Sequence, residues 1–138
     1  MIDTKSAPYG VLLLRVALGI LFLAHGLYLK VFVFTLAGTA QYFGSLGLPG
    51  WFGYLVPLYE TLGGLALIFG VFTRYVAVLL ALHMLVATYI GHRGNGWMFA
   101  SQGGGWEFPL FWSLALFTLA LLGDGAMALM PSQSRRHA

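Results

Sequence analysis

Residues Pro57–Gly70, PLYETLGGLALIFG, set one carboxylate, Glu60, inside an otherwise apolar run. A soluble domain devotes roughly 25% of its residues to charged side chains. This chain of 138 residues devotes 8%, and 59% of it is hydrophobic. That composition places the run in a bilayer, where an isolated carboxylate is costly and has to be protonated, paired or beside water. At the rise of an α-helix, Glu60 lies about 13 Å along from Trp51, near the middle of a hydrocarbon layer about 30 Å thick. Glu60, Gly63, Gly64 and Leu67 share one helical face by i, i+3, i+4, i+7 spacing. Small residues on that face let a second helix approach closely. The run therefore reads as a packed transmembrane helix carrying a buried acid.

Outward from it, hydropathy over windows of about 20 residues predicts further spans. The set is residues 8–29, 51–70, 74–91 and 108–130, which makes the chain a single all-α domain over 1–138, an integral membrane four-helix bundle. Both termini then share a side. Lys5, Arg74, Arg135 and Arg136 outweigh Lys30 and Arg93, so the positive-inside rule predicts that both termini are cytoplasmic. The first outer connection, TLAGTAQYFGSLGLPG (Thr35–Gly50), reads as a short interfacial helix followed by a turn. The second, HRGNGWMFASQGGGWE (His92–Glu107), reads as an irregular segment anchored at the headgroups by Trp97 and Trp106.

Several classes fall away. The formal charge of +3 comes from scattered residues with no basic run, so nucleic acid is not a partner. The chain has no cysteine, which removes disulfide, thiolate and Cys-ligated iron–sulfur chemistry. Met1–Ala7 carries one lysine before an apolar run that outlasts a signal h-region and lacks a small-residue cleavage site, so it reads as the start of a retained span.

The polar residues fall into two groups by depth. Arg15 shares a face with Gly19, Phe22 and Gly26, and Asp124 shares one with Ser113, Phe117 and Ala120. At similar depth, Arg15 and Asp124 are expected to form a structural ion pair. Toward the outside lie His25, Lys30, His92, Arg93 and Glu107, with Glu60 and His83 deeper. These are ligand types for a metal or haem, yet no HxxxH or ExxH pair sets two of them on one helical face, so no metal site is assigned. His83, in the middle of its span, reads as a histidine satisfied within the core. His25 sits where its imidazole can exchange a proton with Glu60 across a close helix contact. An acid, a base and an apolar slot suit two-electron, two-proton chemistry on an amphipathic ring. A plain helix-to-helix hydrogen bond is the competing reading.

The blocks LLLRVALGILFLAHG (Leu12–Gly26), SLGLPG (Ser45–Gly50), YETLGGLALIFGVFTR (Tyr59–Arg74), NGW (Asn95–Trp97), WEFPLF (Trp106–Phe111) and GDG (Gly123–Gly125), in this order, resemble the DoxX family of small four-helix bacterial inner-membrane proteins. The family's recurrent positions match Arg15, His25-Gly26, Glu60 to Gly64, Thr73-Arg74 and Glu107 to Pro109. One place departs. The family often carries a lysine three residues after the His-Gly glycine, and here Leu29 fills that place with Lys30 following. The resemblance implies an oxidoreductase component linked to quinone, or a membrane partner of a redox enzyme.

The expectation is then a quinone-linked membrane oxidoreductase component of the bacterial inner membrane. Glu60 and His25 are its catalytic candidates, and His92, Glu107 and Trp106 its cofactor-binding ones. Quinone is the expected cofactor. The expected partners are the lipid bilayer, a redox protein and a second copy of the chain, since Gly-lined faces also pair with themselves. A non-catalytic membrane scaffold or small-molecule carrier is the alternative.

Overall fold

The computed structural model describes residues 3–133, so Arg135 and Arg136, which entered the orientation expectation, lie outside the described residues. Five helices account for the architecture, with no strand among the described residues. Helix α1 (Ala7–Phe22) runs on without a break as a π-helix, Leu23–Val33. It is followed by α2 (Thr35–Ser45), α3 (Phe52–Phe69), α4 (Thr73–Ala87) continued by a π-helix over Thr88–His92, and α5 (Glu107–Leu122). Three helices are long and apolar enough to cross a membrane: Ala7–Val33, Phe52–Phe69 and Thr73–His92. The helix in the expected fourth span, Glu107–Leu122, has 16 residues and is shorter.

Two features of the chain depart from the expected spans. The first helix passes Leu29 to reach Val33. The last stops at Leu122 instead of Met130 because Gly123 takes φ 101° and the Gly123-Asp124-Gly125 run leaves the helical region. Residues beyond it lie back as a strap across the ends of α1 and α3. The Ala126 amide donates to Pro8, Leu129 to Phe69 and Met130 to Gly70, while Phe72 returns a bond to Met130.

Both π-helices begin where a side chain claims a carbonyl of the preceding turn. His25 Nδ1 lies 3.0 Å from the Leu21 carbonyl, and Thr88 Oγ1 donates to Met84 at 2.6 Å. A side chain bonded four residues back competes with the main-chain ladder there and loosens it. π-Helical segments within α-helices recur at functional sites.

The core is a zip of apolar side chains from four helices: Leu18 and Phe22 of α1, Leu67 of α3, Leu80 and Met84 of α4, and Trp112, Leu116 and Leu119 of α5. α1 packs on α3, and α4 on α5. The α1–α3 crossing depends on glycine. A Cβ on Gly19 would stand 2.7 Å from the Gly64 carbonyl, and one on Gly26 would stand 2.6 Å from Glu60 Cβ. The backbones meet at both points, as small-residue faces in membranes allow. Outside, the molecule reverses a soluble protein. Leu13, Leu62, Leu79, Phe111 and Leu121 are among the most exposed side chains. An apolar surface of that extent calls for lipid.

A polar cavity at the helix junctions

Glu60 enters the structure as a 4% exposed carboxylate on α3, bracketed by two nitrogen groups. Lys30 Nζ lies 2.7 Å from Oε2, and His83 Nε2 lies 3.0 Å from Oε1. A carboxylate oxygen only accepts, so His83 carries its proton on Nε2 and donates it to Glu60. The 2.7 Å contact with Lys30 is that of a charge-assisted bond. The ammonium has three N–H donors, and one beyond the Glu60 bond leans toward the His25 carbonyl at 3.5 Å.

Lys30 reaches Glu60 by way of the π-helix. Bonding from i to i+5 puts more residues into each turn than an α-helix holds. Lys30, four residues after Gly26, thus points where a lysine three residues on would point in an α-helix. The extra residue noted in the sequence is absorbed, and the lysine is presented to the carboxylate that Gly26 brings close.

These groups line the inner end of a cavity of about 320 Å³. Its walls are apolar: Tyr42 and Phe43 of α2, Leu46 and Leu48 beyond it, Phe52 and Val56 of α3, and Val86, Ala87 and Ile90 of α4 and its π extension. His92 stands at the outer end, its Nδ1 2.9 Å from the Gly104 carbonyl. Because a carbonyl cannot donate, that nitrogen carries the proton. The cavity's polar lining residues Lys30 and His92 each sit on a π-helix.

The expected site residues are brought together only in part. Glu60 and His92 share the cavity. His25 does not meet Glu60. Its Nδ1 is bonded to Leu21, its ring lies edge-on to Trp112 at 5.0 Å, and the imidazole on Glu60 is that of His83. His83, read as a satisfied core histidine, is indeed hydrogen-bonded in the interior and also lines the cavity. Glu107 lies elsewhere, accepting the Phe99 amide at 2.6 Å beside an open surface groove with Trp97 and Phe111. Trp106 packs edge-on against Trp97, centroids 4.4 Å apart. Among the described residues no group of three or more ligand side chains could hold a metal ion.

Arg15 and Asp124 do meet, but not as an ion pair. The buried guanidinium, 1% exposed, donates to the main-chain carbonyls of Asp124 (2.8 Å) and Ala126 (3.2 Å). The Asp124 carboxylate instead accepts from the amide and hydroxyl of Ser132. The strap turns its carbonyls inward where helix α5 has ended, and the fork of N–H donors on Arg15 satisfies two of them. Sequence reading missed Lys30 for the site; its place there follows from the π winding and from Gly26 facing Glu60, neither of which the sequence displays.

A membrane bundle with a buried acid, a lysine and a histidine around a lateral cavity is the class of protein these features define. The DoxX family model matches residues 10–93, and the chain belongs to the DoxX family. It is 41% identical over 127 residues, 92% of this chain and 89% of its relative, to the Bacillus subtilis (strain 168) protein named "Putative oxidoreductase CatD". It is 34% identical over 130 residues, 91% and 92% of the two chains, to "Inner membrane protein YqjF" of Escherichia coli (strain K12). It is 30% identical over 131 residues, 90% of each, to "Inner membrane protein YphA" of the same organism. No solved structure matches.

Proposed function

We propose that the chain is the membrane component of a quinone-linked oxidoreductase of the bacterial inner membrane, with the Lys30–Glu60–His83 cavity as its quinone site. In this reading α5 crosses with the three longer helices as a four-helix bundle, both termini face the cytoplasm, and α2 lies along the outer interface. The observation that carries it is the ion-paired carboxylate at the inner end of an apolar cavity of about 320 Å³.

The residues fit the group. Quinone rings are flat and apolar with oxygens that need hydrogen-bond donors, and Phe43 and Phe52 offer apolar walls while Lys30 offers N–H. Bound there, a quinone supplies two-electron, two-proton chemistry. Lys30 would hold a ring oxygen through an N–H not spent on Glu60. Glu60 would hold or release a proton at Oε2. His83 holds the carboxylate from Oε1 and keeps it oriented. His92 and the aromatic walls limit water at the outer end. A redox partner protein or a diffusible carrier supplies the other half of the electron exchange.

The test is mass spectrometry of organic extracts from protein purified in native-lipid discs, wild type beside Glu60→Gln. Quinone enriched in the wild type and lost from a folded variant supports the reading. No enrichment in either favours the scaffold or carrier.

A further inference from the structure

We propose that the furrow between α3 and α4 below the cavity is a subsite for the apolar tail of the ligand, so that the cavity serves a tailed, bilayer-dissolved molecule and not a water-soluble ring. The proposal rests on the reading of the cavity as a quinone-head site. Below His83 lies a second groove of about 250 Å³ lined by Tyr59, Leu62, Gly63 and Ala66 of α3 and by Val76 and Leu79 of α4.

The two volumes share no lining residue but lie along one stripe of α4. Val76, Leu79, His83, Val86 and Ile90 recur at spacings of three and four, which sets them in one stripe along α4. Val76 and Leu79 line the groove, and His83, Val86 and Ile90 line the cavity. His83 is the stripe's one polar member, and Tyr59 packs on it with centroids 5.3 Å apart at the junction. From His83 to Val76 the track runs about 10 Å along the helix.

It also opens sideways. Leu62, Leu79 and Val86 are each more than half exposed, and they sit well inside helices that are apolar and long enough to cross a membrane. The absent Cβ of Gly63 lets Leu80 pack onto α3 as the floor of the furrow, since one built there would stand 2.8 Å from Leu80 Cδ2. A molecule entering from the acyl-chain layer would meet the apolar track first and the Glu60 group at its polar end. A single head with a long tail matches that polarity; a small soluble phenol would leave the lower half to lipid.

The experiment uses the full chain in lipid nanodiscs and a quinone analogue with a photoreactive diazirine in mid-tail, with adducts mapped by peptide mass spectrometry. The expected result is labelling concentrated on Leu62, Ala66, Val76 and Leu79, competed by excess unlabelled tailed quinone. Filling the furrow by Ala66→Phe or Leu79→Trp should weaken the tailed analogue by about tenfold and leave a tailless ring within about twofold. Labelling spread evenly over lipid-facing residues, or furrow-filling variants that weaken both ligands equally, would overturn the proposal. Focused labelling that persists without competition and in Glu60→Gln would keep the furrow as a lipid site and refute the head site instead. Should Leu79→Trp fail to fold, Ala66→Phe carries the same comparison.

Discussion

At the residue scale, the carboxylate of Glu60 is tolerable in the bilayer because Lys30 and His83 occupy both of its oxygens. Removing one member of such a buried pair leaves the other uncompensated, a loss of about 3–5 kcal/mol, whereas replacing both by apolar groups is often near neutral. Lys30→Met alone is therefore expected to lower the melting temperature more than Lys30→Met combined with Glu60→Leu. A double variant as unstable as the sum of the two singles would show that the pair is not coupled. Gly26 makes the pair possible. Gly26→Val should cost about 2–3 kcal/mol, since its side chain would press on the Glu60 Cβ and part α1 from α3; chemical denaturation in detergent measures it. The buried acid was legible from sequence, as was its need for a partner. The partner was not. Choosing Lys30 over His25 requires knowing that the helix is π-wound there, and the hydrophobic pattern of a span that is apolar on every side carries no such signal.

At the element scale, the two π-helices deliver Lys30 and His92 to one cavity, and each starts at a side chain bonded four residues back. Deleting Leu29 should collapse the extra residue into an α-turn and keep the lysine on Glu60, so quinone binding and stability survive. Deleting Leu13, in the α-wound part, rotates everything beyond it by about 100° and should abolish both. Equal damage from the two deletions would contradict a register-absorbing role for the π segment. The strap is the other element that decides. Arg15 holds two of its carbonyls and Arg74 two more at the end of α5. Arg15→Met strands those acceptors, with an expected loss of about 2–4 kcal/mol seen as a lowered melting temperature. Sequence spacing brought Arg15 and Asp124 to one level but could not reveal that a Gly-Asp-Gly break would turn main-chain carbonyls, not the carboxylate, toward the guanidinium.

At the scale of the whole molecule, the helices and their faces were largely legible because a chain with 8% charged residues leaves few places for polar groups to go. Of the face Glu60, Gly63, Gly64 and Leu67, the structure buries Glu60, Gly64 and Leu67 and leaves Gly63 half-buried at the α3–α4 furrow. The composition of the cavity was less so: Glu107 and Trp106 stand at the outer end in sequence, yet the Gly-rich loop carries them to a different surface. With no native cysteine, single cysteines report topology cleanly. Lys5→Cys should be labelled by an impermeant maleimide only from the cytoplasm and Gln102→Cys only from outside; both labelled from one side would refute the three crossings between them.

The most direct test of the site is the affinity for a tailed quinone in nanodiscs of His83→Gln beside His25→Gln, each checked for folding. With the Lys30–Glu60–His83 group as the head site, the His83 variant should bind about tenfold more weakly while the His25 variant stays within about twofold of wild type. A loss confined to His25→Gln, or binding unchanged in both, would contradict it.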